Sequence, residues 1–448
     1  MQTKAIKISI CVALLVLFLF VTERYEYQVH GDQIQESKCV NYFTRTRIPS
    51  NYFFNKRNNK NSYGNYNFQE HSLFLGGKTL FNLPPNYFKK ASCVKSLKLN
   101  SNNFVNIPAT LQDLEGLEIL TMAHNKVVKL KGSLFSKNIN LKELDLNSNE
   151  IKTIDLNGFP NLHILNLSGN NITNIKPIQQ ANIKKIILFN NELNDFPYEL
   201  KGISNLNSLD LSYNSFDTIS NNLTNDLSKF NALISIDLKG NQLTDFPTAL
   251  GQMPKLEQIE LKNNKISGEL ILSGFNALKD LSLQQQFINS FIIESNSLQN
   301  LNNIQFSGNE ISEFEIKSTL INCSLLDLST NEIKVIPPSI TLLKNLEELN
   351  LSNNKLTEIP NLEELAQLKK LSLYSNNLTT LKDVKLPASL EELDLSNNFN
   401  LENFPISLLK DLPNLKKLDL SLSSIPSDQR LQIEGFAKMY NFDIQVVF

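Results

Sequence analysis

Hydrophobic residues along this chain fall into a repeating phrase. The stretch Leu141-Lys142-Glu143-Leu144-Asp145-Leu146-Asn147-Ser148-Asn149-Glu150-Ile151 states it most plainly, as L-x-x-L-x-L-x-x-N-x-L. Elsewhere Ile, Val, Phe or Cys stands in for Leu. The Leu-x-Leu alternation has a period of two, the mark of a short strand with one buried and one exposed face. From residue 94 onward the phrase returns at spacings of 21 to 27 residues, apart from one skip across Gln286. Such a spacing carries the chain once around before the next strand pairs in parallel beside the last, which predicts a solenoid.

The Asn position is filled at 102, 125, 149, 170, 191, 214, 241, 264, 309, 331, 354, 376 and 398. Gln286 and Ser423 take its place in two further turns, and Lys78 does so in a degenerate first turn built on Leu73, Leu75, Leu80 and Leu83. This predicts an array of about sixteen turns. An amide donates and accepts at once, so a buried Asn can satisfy orphaned backbone groups of its own turn and of the next. About five places after the Asn comes a further apolar residue, often with proline behind it: Ile107-Pro108, Phe196-Pro197, Phe246-Pro247, Ile336-Pro337, Ile359-Pro360 and Phe404-Pro405. These fill the outer half of the core, and the proline starts a segment that need not join a sheet. With strands about 4.8 Å apart, the inner sheet is expected to run on the order of 70 Å.

On these residues the chain resembles the leucine-rich-repeat superfamily, across residues 73–426. The resemblance implies an α/β solenoid, a horseshoe with a parallel concave β-sheet, and a protein partner on that sheet. It extends loosely to invertebrate secreted leucine-rich immune proteins and to receptor ectodomains. The coiled coil and cysteines at the C-terminus of one such immune group are missing here, as is the clustered-cysteine N-terminal cap of many secreted relatives.

Four segments follow from this pattern: residues 1–21, an N-terminal cap and Asn-rich stretch over 22–72, the repeats over 73–426, and a C-terminal cap over 427–448. In the first, Lys4 and Lys7 precede an apolar run from Ile10 to Val21. That run has the length of a signal-peptide core and is shorter than the roughly 20 apolar residues that span a bilayer. Secretion is the expectation. The alternative is a membrane anchor over residues 8–21, because Leu19-Phe20-Val21-Thr22 lacks a small-x-small cleavage site. In the cap, Ser427-Asp428 reads as a helix start, followed by apolar Leu431, Ile433, Phe436 and Met439 and a last strand-like run.

The net charge of -2, from 43 Lys+Arg against 45 Asp+Glu, lacks the basic excess of a nucleic-acid binder. The histidines at 30, 71, 124 and 163 show no metal-ligand spacing, and no hydrolase or zinc motif occurs, so neither an enzyme nor a metal or cofactor is expected. Gly76-Gly77-Lys78 lacks the full spaced-glycine loop of a nucleotide site. Of four cysteines, Cys11 lies in the leader and Cys323 at a core position, leaving Cys39 and Cys93 as a candidate disulfide. Six N-x-S/T sequons begin at Asn166, Asn171, Asn222, Asn322, Asn350 and Asn377. In a secreted chain these are glycan acceptors, although the repeat consensus itself writes Asn-Leu-Ser.

Residues two, four and six before the Asn should point together from the concave sheet. The column at minus four is acidic, with Asp210, Asp237 and Glu260 in succession. Ile164, Ile187, Phe189 and Tyr213 break the polar face on three successive strands, as interaction hot spots do. The expected partner is a protein ligand or receptor, or a glycan, and neither a nucleic acid nor a nucleotide. An intracellular scaffold that regulates a signalling enzyme is the competing reading.

Overall fold

A computed structural model describes residues 47–52, 65–67, 69–178, 182–219, 227–294, 296–439 and 445–448. The apolar run 10–21, Cys39 and Asn222 lie outside them. An eighteen-stranded sheet forms the framework. Sixteen strands belong to the repeats, from Ser72–Phe74 to Lys417–Asp419, and each lies parallel to the next. Asn65–Asn67 pairs antiparallel with the first of these, and Gln445–Val447 adds a parallel strand after the last.

Each repeat strand is only three residues long because the buried phrase is only Leu-x-Leu. The middle residue of every strand, such as Leu97, Leu120, Leu144 or Leu165, is sealed in the core. Its neighbours on either side stay on the outer face of the sheet. Full burial of one such Leu is favourable by about 1.5–3 kcal/mol, and the same contact recurs turn after turn along one continuous core.

The returning limbs include 3-10 segments and extended strands. In four turns where proline follows the outer apolar residue a 3-10 segment starts, at Ala109–Asp113, Tyr198–Gly202, Thr248–Gln252 and Pro338–Leu342, and after Phe404-Pro405 a short α-helix spans Ser407–Lys410. Proline pre-sets φ there and has no N–H to leave unpaired. Other limbs stay extended. Lys129–Lys131, Thr153–Asp155 and Asn174–Ile175 make one three-stranded parallel sheet, and Ser267–Leu272, Phe287–Ile293 and Glu313–Ile316 make another. Hydrogen-bonded strands pack more closely than 3-10 segments, so the continuous sheet takes the inside of the curve.

The asparagines hold the turns together, with a polarity opposite to the one expected. Asn149 Nδ2 donates to the Leu146 carbonyl of its own turn at 3.0 Å and to the Met122 carbonyl of the preceding turn at 3.0 Å. Its Oδ1 accepts the Val127 N–H of the preceding turn at 2.9 Å. Asn331 repeats this with Leu328, Phe306 and the Ile311 N–H, each at 3.0 Å. The bridge therefore runs backward, to the turn already made. Gln286 keeps the contacts to the preceding turn, with Leu261 and Ile266, and Ser423 keeps only the bond to Leu420 of its own turn. In the first turn Lys78 and Leu80 offer their N–H groups to Asn102.

At the far end a helix covers Ser427–Met439. Ile433 and Ala437 are buried and Phe436 packs on the core, whereas Leu431 and Met439 are 69% and 78% exposed. The apolar face of this helix is thus narrower than the four apolar positions suggest. Replacing Asn331 by Leu removes three buried hydrogen bonds at once. Thermal or denaturant melts should report a loss of about 1 to 3 kcal/mol, and an unchanged midpoint would contradict the ladder.

Candidate protein-binding face

Register brings most of the expected face residues into one row. Asn166 stands beside Ile187, Ile187 beside Asp210, Asp210 beside Asp237 and Asp237 beside Glu260, on five adjacent strands. Ile164 lies two residues earlier on its strand, in register with Lys185, and is 36% exposed. Phe189 follows Ile187 by two residues, just past the strand Lys185–Ile187.

Tyr213 is not on a strand. It follows Ser208–Asp210 and has φ 54°, in the left-handed region. The residue before the ladder position adopts this conformation throughout the array: Ser101, His124, Ser148, Gly169, Asn190, Tyr213, Gly240, Asn263, Gln285, Gly308, Thr330, Asn353, Ser375, Asn397 and Leu422. Most of these are small or polar residues that tolerate it, whereas a tyrosine there carries backbone strain. The ring has room because the next turn supplies Gly240, where an added Cβ would stand 2.9 Å from it. Tyr213 meets Phe189 edge-on at 5.3 Å between centroids, and Lys239 Nζ lies 5.5 Å from the Tyr213 ring centre. With Phe189 39% and Tyr213 42% exposed, the pair forms an aromatic ledge beside the row.

The acidic column has a structural cause. At minus four, one side-chain oxygen of Asp145, Asn166, Asp210, Asp237, Asp327, Asn350, Asp394 or Asp419 accepts the backbone N–H two residues on. This Asx turn caps the exit of the strand, and Asn serves as well as Asp. Acidity along the whole column therefore does not by itself denote a basic partner.

Asp210, Asp237 and Glu260 stand together in one row, with Lys239 as the cation that acts on Asp237. Among the described residues no salt bridge engages them. Elsewhere charges at the strand starts are paired across turns, as Glu118 with Lys95 at 3.5 Å and Lys142 at 2.8 Å, Glu257 with Lys279 at 2.8 Å, and Glu347 with Lys369 at 2.8 Å. Burial pushes Asp237 up to about 6; the Lys239 N–H bond and the Lys239 charge oppose this, and the flanking Asp210 and Glu260 reinforce it.

The remaining candidates divide. Asn171 and Asn322 have their amides engaged, by Glu192 at 2.7 Å and the Gln299 carbonyl at 2.6 Å. Asn166 and Asn350 sit on sheet strands, and Asn377 is exposed on a loop. Cys93 is disulfide-bonded. Cys323 is buried, and burial pushes its thiol up to about 12, where it is inert. Gly77 takes φ 65° in the first turn, and Gly76 approaches the Asn100 carbonyl closely, so both glycines serve the turn. Among the described residues no helix is long and apolar enough to cross a membrane.

Comparison with known proteins agrees with this geometry. The family described as "Leucine rich repeat" matches residues 115–172, and that described as "Leucine Rich repeats (2 copies)" matches residues 344–386. The solved structure of a leucine-rich-repeat protein from Leptospira interrogans is similar at a TM-score of 0.67 and 27% identity, covering 84% of this chain and 95% of that one. Lumican of Gallus gallus is 28% identical over 189 residues, 40% of this chain and 52% of lumican. Osteomodulin of Bos taurus is 29% identical over 265 residues, 58% of this chain and 57% of osteomodulin. The chain spans about half the length of these curated relatives. Its fold is a leucine-rich-repeat solenoid.

Asp237 supplies a pH test of the row. A carboxyl whose folded value lies above its ordinary 3.8 binds more protons folded than unfolded between about pH 4 and 6, so stability falls as pH rises through that window. Asp237→Asn removes the cost and keeps the Asx acceptor. Denaturant melts should find the variant more stable by about 1 to 2 kcal/mol above pH 6.5, after allowance for partial solvation, with the gain fading towards pH 4. A gain that is the same at both pH values would contradict the assignment.

Proposed function

We propose that this chain is a secreted recognition protein that holds a protein partner on its concave sheet, in a defence-like or adhesive role, and performs no catalysis itself. The observation that carries the reading is the aromatic ledge of Phe189 and Tyr213, set beside Ile187 and within one face of Ile164. Exposed aromatics in mutual contact on a rigid sheet are what interface hot spots are made of, since a rigid ring loses little entropy on docking.

Secretion rests on the apolar leader and on the disulfide at Cys93, which suits an oxidising compartment. We take Cys39 as the partner of Cys93, which would tie the segment before the array to its first turn. Of the sequons, Asn377 is the most accessible acceptor among the described residues, and glycans at Asn166 or Asn350 would crowd the sheet face.

Intact mass of protein recovered from the medium of secreting eukaryotic cells, before and after glycosidase and with thiol labelling, tests the compartment. Loss of about 21 residues, with Cys39 and Cys93 blocked to label, is the expected result. A full-length, cell-retained chain with free thiols would overturn secretion and direct the search to intracellular partners.

A further inference from the structure

Phe189 and Tyr213 follow the first two of four adjacent strands, and the acid row occupies the last three. Phe189 occupies the position two residues beyond Ile187, and Ile187 is in register with Asp210, so ring and carboxylate are separated by roughly 7 Å along the strand direction. Asp210, Asp237 and Glu260 follow one another across three adjacent strands, at about 4.8 Å per step. Like charges side by side in a sheet repel; Asp394 beside Asp419 is another such pair, whereas the strand starts alternate in sign. Glu348, Lys370, Glu392 and Lys417 alternate in sign across four adjacent strands in register. The lysine nearest to Asp237 along the chain, Lys239, turns its ammonium towards the Tyr213 ring. What results is an apolar shelf with a row of three acids beside it and one nearby ammonium, that of Lys239.

Resting on the reading of this face as the partner site, we propose that it docks a polypeptide segment carrying two closely spaced basic residues next to an aromatic or large aliphatic one. The basic side chains lie along Asp210, Asp237 and Glu260, and the apolar side chain packs on Phe189 and Tyr213. Extended backbone places same-side residues about 6.6 Å apart, so two lysines or arginines at i and i+2 fit within the span of the three acids. A cation there favours the ionised form of Asp237, so docking releases a proton from that group near pH 6. The charged groups facing Asp237 are Asp210 and Glu260 on the adjoining strands and Lys239 on its own turn.

The experiment uses the full secreted chain and four probes in fluorescence anisotropy: a short peptide with Lys at positions 1 and 3 and Phe at 5, its Glu-for-Lys counterpart, its Ala-for-Phe counterpart, and a neutral oligosaccharide. The Lys/Phe peptide is expected to bind. Its affinity should fall at least tenfold in Asp210→Asn/Glu260→Gln and in Phe189→Ser/Tyr213→Ser, and several-fold on going from pH 7.5 to pH 5. Circular dichroism melts check that both variants remain folded. Undiminished binding to the Asn/Gln variant, equal binding of the Glu peptide, or no binding of the Lys/Phe peptide would each overturn the proposal. The binding-face reading fails separately, when no probe that binds is weakened by Phe189→Ser/Tyr213→Ser. Oligosaccharide or Glu-peptide binding that is lost in that variant would keep the face and refute the basic occupant.

Discussion

Everything in this array depends on the need to satisfy backbone carbonyls that are turned inward where each strand ends. A Leu-x-Leu strand of three residues buries its side chains but leaves the following turn wrapped around polar groups that water cannot reach. One carboxamide per turn resolves this, since its Nδ2 serves two carbonyls and its Oδ1 one N–H. Those bonds reach to the preceding turn, so each turn is locked to the one before it and the array becomes a single rigid unit. The left-handed residue just before the ladder position is the local cost of bending the chain so that the amide points inward.

This rigidity is what makes the sheet face available for recognition. Since strand position and spacing are set by core leucines and by the amides, the outward positions carry little structural duty beyond the Asx cap at minus four. They can vary without endangering the fold. Where that freedom has produced Phe189, Tyr213 and a row of three acids, the surface departs from the alternating, internally neutralised charge at the strand starts. A tyrosine in a left-handed turn, over a glycine that gives it room, is a departure with a conformational cost, and a partner offers a reason for it.

Much of this was legible in the chain itself. Period two followed by a spacing near 23 identifies strand and solenoid, and the offset from each Asn correctly groups Ile187, Asp210, Asp237 and Glu260 in one row. Three things were not legible. The direction of the Asn bridge depends on which way the turn coils, which spacing alone does not encode. Tyr213 reads as a strand residue because it lies near the alternation, although its backbone has already left the strand. The acidic column looks like a ligand signature until the hydrogen bonds show that Asp and Asn perform the same capping role there. A clue did exist, since Asn166 and Asn350 share the column with the aspartates. Likewise, proline after the outer apolar residue precedes four of the 3-10 segments.

The claim that recognition occurs on this ledge can be tested most directly by light-driven cross-linking. Benzoylphenylalanine replaces Phe189 in one protein and the equally aromatic, 61% exposed Phe399 in another, and each is irradiated with the labelled Lys/Phe peptide. The account predicts covalent product from position 189, competed by unlabelled peptide, and none above background from position 399. Equal yield from both positions, or product from 399 alone, would contradict it.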